Sequence, residues 1–339
     1  MLRETVTPDP DGGKAPIEQR MVELFRGREG GLFSGEELGA ALKVSRTAVW
    51  KHVNKLKAQG YRIESIPARG YRFLAAPDTL TVLELATGLP AGRIGRRIVS
   101  VREADSTNLL AFRLAEEGAE EGTVVIAEFQ SGGKGRLGRR WESPPGVNLY
   151  CSVILRPVMP PVRAPQLTFL SAIAVARAIE AVTPLHPHIK WPNDILVNGL
   201  KVAGLLNEMS SETDTIHFVV LGIGVNINMR REQFPEGLRH PASSLLIESG
   251  SSVNRVEFTR SLMAALDTLY DNYLSRGFSP IRDEWISRGM VQGSKVRVSS
   301  GDEKLEGTVS GIDEDGALLL RRSDGVVERI LSGDVTILT

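Results

Sequence analysis

Hydrophobic positions along the chain change their spacing twice. Up to Gly60 they recur at helical intervals. Ser34-Gly35-Glu36-Glu37 fits the S-x-x-E capping box, ahead of Leu38, Ala41 and Leu42 on one helical face. After a turn at Lys43-Val44, Ser45 is placed to cap a second helix, in which Val49, Val53 and Leu56 form an i, i+4, i+7 stripe and Gly60 lies past the end. Beyond Gly60 the pattern alternates. Tyr61 and Ile63, then Tyr71 and Phe73 past Pro67-Ala68-Arg69-Gly70, predict a two-stranded wing. Residues 17–76 thus form one module, a helix-turn-helix with a wing, and residues 77–92 read as a linker with a short helix-like stretch at Leu80 to Thr87.

The central stretch alternates apolar strands with amphipathic helices. Ile98 to Val101, Val124 to Phe129 and Leu149 to Leu155 are predicted strands. A helix opens at Asp105-Ser106-Thr107-Asn108 and closes at Gly118, and a long apolar helix runs from Gln166 to Val182. Asn198-Gly199 is a strong hairpin signal between Ile195-Leu196-Val197 and the return strand from Lys201. Phe258 to Arg276 is a further amphipathic helix. From about Gly289 the spacing becomes that of short strands, Lys295 to Val298, Leu305 to Ser310, Ala317 to Leu320, Gly325 to Ile330 and Val335 to Leu338, as in a small β-barrel.

Composition adds limits. Lys+Arg and Asp+Glu balance at 41 each over 339 residues, so the whole molecule is no generic polyanion binder. The excess is local. Residues 17–76 hold eleven Lys/Arg against six Glu, which suits phosphate contacts by a DNA-binding module. On the face opposite the apolar stripe lie Arg46, Thr47, Trp50, Lys51, Asn54 and Lys55, with Ser45 at the helix start and Arg69 at the wing tip. The one cysteine, Cys151, sits in a strand-like segment and reads as a buried apolar residue, consistent with a reducing cytoplasm. Residues 1–16 are polar and read as a disordered tail, and no apolar run is read as approaching the ~18 residues of a membrane span.

The chemistry concentrates in two places. Gln130-Ser131-Gly132-Gly133-Lys134-Gly135-Arg136-Leu137-Gly138-Arg139-Arg140-Trp141 combines backbone pliability with four cations. It lacks the Walker A pattern, so it is a cradle for an anion held by side-chain cations or a solvated basic patch. His188-Ile189-Lys190-Trp191-Pro192-Asn193-Asp194 ends a strand in a lysine and breaks it with Trp-Pro. Ser106, Thr107 and Asn108 lie where a helix leaves N–H groups unpaired, either as an ordinary cap, the reading preferred for Ser106, or as a site for a small polar ligand.

Taken together, Ser106-Thr107-Asn108, Gln130 with the Gly-x-Gly-Arg-x-Gly-Arg run, Lys190-Trp191-Pro192-Asn193-Asp194, Lys201-Val202-Ala203-Gly204 and Gly222-x-Gly-x-Asn226 resemble the biotin protein ligases in order and spacing. The N-terminal module resembles that of the subgroup that also represses the biotin operon. One departure is Lys134, where some members carry arginine, keeping the cation but losing a bidentate fork.

The resemblance implies an α+β multidomain chain: a winged helix-turn-helix, a mixed α/β ligase domain of the biotin/lipoate ligase type over residues 93–287, related to class II synthetases, and an SH3-like C-terminal barrel over residues 288–339. It implies ATP, Mg²⁺ and biotin, with biotinyl-5′-AMP as both intermediate and corepressor. The implied partners are a biotin carboxyl carrier protein, operator DNA and, with adenylate bound, a second copy of the chain, all in the cytoplasm. By the same resemblance biotin falls to Ser106, Thr107, Asn108, Gln130, Lys134, Gly135, Arg136, Lys190 and Gly204. The nucleotide falls to Gly133, Arg136, Arg139, Lys190, Asn193 and Asn226. Lys190 and Arg136 stand as the catalytic cations, and Asp194, with Asn193, orients either Mg²⁺ or Lys190. A ligase for a related acid such as lipoate, and a biotin-sensing repressor without ligase chemistry, are the competing readings.

Overall fold

The computed structural model describes residues 5–6, 15–28, 30–89, 92–238, 241–289, 293–300 and 303–338. The first paired segment, β1 (Thr5–Val6), lies antiparallel to β5 (Ile98–Ala104), with Thr5 opposite Ser100. This corrects the reading of a disordered tail at those two residues, because an edge strand presents unpaired N–H and C=O groups to any extended segment within reach. The rest of the tail up to residue 14 falls outside the described residues.

Three helices, α1 (Ile17–Gly27), α2 (Gly35–Leu42) and α3 (Arg46–Ala58), pack with a small sheet of β2 (Leu32–Phe33), β3 (Arg62–Ile66) and β4 (Gly70–Ala75), ordered β2-β4-β3. The capping box closes as its sequence requires: Ser34 Oγ accepts from the Glu37 N–H at 3.0 Å, and Glu37 Oε2 accepts from the Ser34 N–H at 2.7 Å. Ser45 caps α3 by accepting from the Ala48 N–H at 3.2 Å. Val49, Val53 and Leu56 are fully buried against Met21, Val22 and Phe25 of α1, a helix that the sequence reading did not single out.

The predicted linker is no loose tether. Its helix α4 (Val82–Ala86) packs Leu83 against the winged-helix core and buries Leu85 in the core of the next module. That module is built on an eight-stranded sheet. Its strands after β5 are β6 (Val124–Gln130), β7 (Leu149–Leu155), β8 (His188–Lys190), β9 (Asp194–Val197), β10 (Leu200–Ser211) and β11 (Ile216–Val225), in the order β1-β5-β6-β7-β11-β10-β9-β8. Only β5 and β6 run parallel, joined by α5 (Thr107–Glu116). The sheet is covered on both faces: Val124 and Ile126 join the core under α6 (Pro165–Val182), while Val125 and Ala127 join the core under α5. This is why β6 and β7 read as continuous apolar runs rather than alternating ones.

Residues Pro161–Val182 are long and apolar enough to cross a membrane, which the sequence reading passed over; 67% of the most apolar window is buried inside the protein. The helix is the floor of this core, joined by α7 (Leu245–Ser249), α8 (Arg255–Arg276) and α9 (Ser279–Arg288). The last of these gave no signal in the reading, since Pro280 and a weak apolar stripe hide it.

The terminal module is a five-stranded antiparallel sheet, β12 (Lys295–Ser300), β13 (Glu303–Ile312), β14 (Leu318–Arg321), β15 (Val327–Ile330) and β16 (Asp334–Ile337), in the order β15-β14-β13-β12-β16. Its buried Val296, Val298, Leu318 and Val335 belong to the same apolar cluster as the eight-stranded sheet. Gln166 on α6 donates to the Glu314 carbonyl at 2.7 Å, so the module is fastened directly above the central helix.

Candidate active site

One cavity of about 270 Å³ opens where β6, the glycine-basic loop, the β8–β9 turn and strands β10 and β11 converge. Ser106, Thr107, Asn108, Gln130, Lys134, Gly135, Arg136, Arg139, Lys190, Asn193, Asp194, Gly204 and Asn226 all line it. Gly133 does not: its carbonyl accepts from the Trp141 N–H at 2.9 Å behind the loop, and a Cβ there would lie 2.4 Å from the Trp141 carbonyl oxygen.

The neutral part of the wall is a connected set of dipoles. Gln130 Oε1 accepts from the Thr107 N–H at 2.8 Å, and Gln130 Nε2 donates to Ser143 Oγ at 3.0 Å. Ser152 Oγ lies 2.8 Å from Thr107 Oγ1 and 2.6 Å from Asn108 Oδ1, and Asn108 Nδ2 donates to the Leu206 carbonyl at 3.0 Å and to Glu208 at 2.8 Å. The expectation that Ser106 acts as an ordinary cap is corrected here. It occupies the N-cap position without a side-chain capping bond, because Gln130 from the neighbouring strand takes the free helix N–H. Glycine is required beside this set. A Cβ on Gly222 would stand 2.2 Å from Asn108 Oδ1, and on Gly224 2.7 Å from the Trp141 ring.

The charged part is more structured than the sequence suggests. Arg136 is half-buried and donates to Asn193 Oδ1 at 3.1 Å, which spans the mouth from loop to β8–β9 turn. Burial lowers the pKa of its guanidinium, with Asp334 and Asp194 opposing that shift, and it remains a cation. Arg139 is gripped by Asp334 at the start of β16, a pairing that raises its pKa. Arg140 pairs with Glu142 at 3.1 Å. Among the described residues the side chains of Lys134 and Lys190 have no partner and Arg136 has only the neutral Asn193, so an incoming anion meets all three without displacing a carboxylate.

Lys201 is a lining residue to which sequence reasoning assigned no role. From β10 its ammonium reaches into the cavity, 2.6 Å from Asp194 Oδ1 and 5.4 Å from the centre of the Trp141 ring. The ion pair is close but not aligned as a hydrogen bond, which leaves Asp194 Oδ1 without a donor. Strand alternation did not announce it, because a β-bulge between Lys201 and Ala203 turns Lys201 to the cavity while Ala203 joins the core. The Asp194 carboxylate thus faces Lys201, and the proposed tie to Lys190 is only the backbone pairing of β8 with β9.

Glu142, Asp194 and Asp334 are the carboxylates that line the cavity, and each already has a basic partner. Among the described residues no cluster of His, Cys, Asp or Glu forms a metal cage. This donor set does not fit an ion held by protein alone; it fits a Mg²⁺ that would arrive on nucleotide phosphates, with Asp194 as the residue that would help to hold it.

In the N-terminal module the reading helix α3 presents Arg46, Thr47, Lys51 and Trp50, the last 56% exposed, with Arg69 at the exposed wing turn. The Ser45 hydroxyl is occupied as a cap, Asn54 is half-buried, and Lys55 is paired with Glu18 at 2.6 Å, so three of the eight predicted DNA contacts are less free than the rest. Cys151 is buried and its thiol is pushed up to about 12 by burial, as befits a packing residue.

Residues 100–226 match the biotin/lipoate A/B protein ligase family, residues 18–72 an HTH domain and residues 292–338 the biotin protein ligase C-terminal domain. The chain is 37% identical to the bifunctional ligase/repressor BirA of Bacillus spizizenii, across 95% of this chain and 99% of that one. It is 31% identical to the bifunctional ligase/repressor BirA of Escherichia coli, across 95% and 97%. The chain belongs to the biotin protein ligase family. Among solved structures, the biotin protein ligase from Aquifex aeolicus in complex with biotin and ATP superposes with a TM-score of 0.61 at 29% identity, over 71% of this chain and 98% of that one.

Proposed function

We propose that the protein activates biotin with ATP to biotinyl-5′-AMP, transfers biotin to a lysine of a biotin carboxyl carrier protein, and represses transcription when the adenylate is bound. The observation that carries the ligase reading is the composition of this cavity: neutral hydrogen-bonding groups on α5 and β6, beside cations from the loop and from β8 and β10. A ureido ring both donates and accepts hydrogen bonds and is met by Ser106, Thr107, Asn108 and Gln130. Two anions, the biotin carboxylate and the α-phosphate, repel until cations screen them, and Lys190, Lys201 and Arg136 supply that screening.

In the first step a carboxylate oxygen attacks the α-phosphorus and pyrophosphate leaves. Magnesium, borne by the phosphates, shares the developing charge when bound, and the chain's own task is to align the two reactants and hold water out. Arg136, bridged to Asn193, closes the mouth over the mixed anhydride. In the second step the carrier's lysine nitrogen attacks the acyl carbon, AMP leaves, and the amine's proton departs to solvent or phosphate. No protein nucleophile is needed.

The repressor half rests on α3, with its exposed basic and aromatic face, and on the wing. The function places the protein in the cytoplasm, with ATP, carrier and DNA. ATP–pyrophosphate exchange run separately with biotin and with lipoate tests the chemistry: exchange driven by biotin alone is the expected result, and exchange driven by lipoate overturns the substrate. Footprinting with and without biotin and ATP tests repression, and no ligand-dependent protection of any promoter fragment would remove it.

A further inference from the structure

Between the two functional modules lies a buried carboxylate. Glu84 on α4 is 1% exposed, yet it is surrounded by basic and hydroxyl donors from both sides. From the winged helix, the Tyr61 hydroxyl donates to Oε1 and the Arg26 guanidinium to Oε2. From the ligase domain, Arg260 on α8 donates to the Glu84 backbone carbonyl and stands 3.9 Å from Oε2. Burial, with the Glu84 bond added, raises the Tyr61 pKa, so the phenol stays a donor; burial lowers that of Arg260. One nitrogen of Arg26 and one of Arg260 are buried here without a hydrogen-bond partner, so the buried carboxylate is the group that these two half-buried cations share.

The packing around it has the same two-sided form. Leu83 enters the winged-helix core and Leu85 the ligase core, one residue on either side of Glu84. The C-terminal end of α3 is involved directly: Tyr61 follows the Gly60 that ends the reading helix, and a Cβ on Gly60 would touch Pro77 Cβ at 3.2 Å. The direction in which α3 leaves the ligase body is therefore set at Glu84.

We propose that Glu84 is a positioning residue for DNA recognition, fixing through Arg26 and Tyr61 on one side and Arg260 on the other the angle at which α3 is presented. This rests on the repressor reading above, and it adds that the reading head is rigidly aimed by a charge cluster instead of being carried on a flexible tether. A head that must find its angle by diffusion loses affinity in proportion to the fraction of time it is aimed correctly.

The test uses the full chain with nitroxides on Ala58→Cys, at the end of α3, and Ser275→Cys, on α8; buried Cys151 stays unlabelled. Dipolar spectroscopy should give one narrow distance distribution in the otherwise wild-type protein. It should broaden in Glu84→Gln, which removes the carboxylate that Arg26 and Arg260 share. It should also broaden in Arg260→Met, which leaves the winged-helix core untouched. Biotin-dependent pyrophosphate exchange should stay within about twofold in both, because none of Arg26, Tyr61, Glu84 and Arg260 lines the cavity. Operator affinity should fall about tenfold if one orientation in about ten remains competent. An unchanged distance distribution in both variants overturns the proposal, as does a broadened distribution with unchanged operator affinity. A wild-type chain that binds no operator fragment overturns the repressor reading and this proposal with it, whereas variants that bind like a DNA-binding wild type overturn the proposal alone.

Discussion

Arg139 and Asp334 are far apart in sequence and joined in space: the guanidinium of the glycine-basic loop is held by the first residue of the last strand. One wall of the cavity is thus supplied by the terminal module, to which the sequence reading could assign no role. The pair is partly exposed, so its worth to global stability is at most about 1 kcal/mol. Its effect is on the loop's position.

Asp334→Ala should therefore leave the melting temperature nearly unchanged and raise KM for ATP about tenfold, the cost of releasing a prepositioned cation into a mobile loop. Steady-state kinetics with ATP varied at saturating biotin measure it. An unchanged KM would make the pair a docking contact with no part in nucleotide binding.

Lys190 and Lys201 flank Asp194 from opposite neighbouring strands, one without a side-chain partner and one paired. Each substitution to alanine should slow adenylation by about 10² or more, the scale for deleting one donor to a developing anion. The signature should differ. Lys201→Ala also strips Asp194 of its counter-ion, so removing that carboxylate as well, in Lys201→Ala with Asp194→Asn, should recover part of the loss. Exchange at the wild-type rate in either single variant excludes that lysine from the reaction.

The winged helix was legible because its signals are local: Ser34, Glu37, Ser45 and the Val49, Val53, Leu56 stripe each act within a few residues of themselves. Of the site residues that the resemblance implied, all but Gly133 line the cavity, while Trp141, Glu142, Lys201 and Asp334 line it without having been implied. What stayed hidden is contact between segments remote in sequence. Nothing near Ser106 announces that Gln130 will occupy its helix end, nothing near Glu84 announces Arg26 and Arg260, and Asp334 lies in a strand whose apolar pattern is ordinary. Such pairs depend on tertiary geometry, which periodicity does not encode.

Gly222→Ala should impair biotin binding more than ATP binding. The new methyl would fall 2.2 Å from Asn108 Oδ1, and Asn108 is held by Ser152, Leu206 and Glu208, so it has little room to yield. Overpacking of this kind costs about 1–3 kcal/mol. Isothermal titration with biotin should show the affinity down by about tenfold or more, and wild-type affinity would mean that Asn108 does not face the ligand.

Arg136→Gly should separate making the adenylate from keeping it. The loop loses its bond to Asn193, and the mouth of the cavity opens while Lys190 and Lys201 remain. The anhydride should then escape and label lysines without regard to carrier. Release of radiolabelled biotinyl-adenylate gives the answer directly: equal dissociation from variant and wild type would show that Arg136 closes nothing.

Adenylate should also drive self-association, and the reason lies in the charge state of the loop. Lys134, Arg136, Arg139 and Arg140 crowd one short segment, of which Arg139 and Arg140 have carboxylate partners and Arg136 only a neutral one. Their repulsion favours a spread of loop positions until a phosphate neutralises them, and ordering the loop then changes the surface that it forms. Strong operator selection by a single small reading helix calls for two half-sites, hence two chains. The two equilibria are linked, so a coupling of about 1 to 3 kcal/mol should appear equally as tighter dimerisation with adenylate and tighter adenylate binding by the dimer. Sedimentation equilibrium with and without biotin and ATP measures the first, and the equilibrium affinity for adenylate at low and high protein concentration measures the second. A dimer constant that is the same with and without biotin and ATP would show that the assembly owes nothing to the adenylate or to the loop.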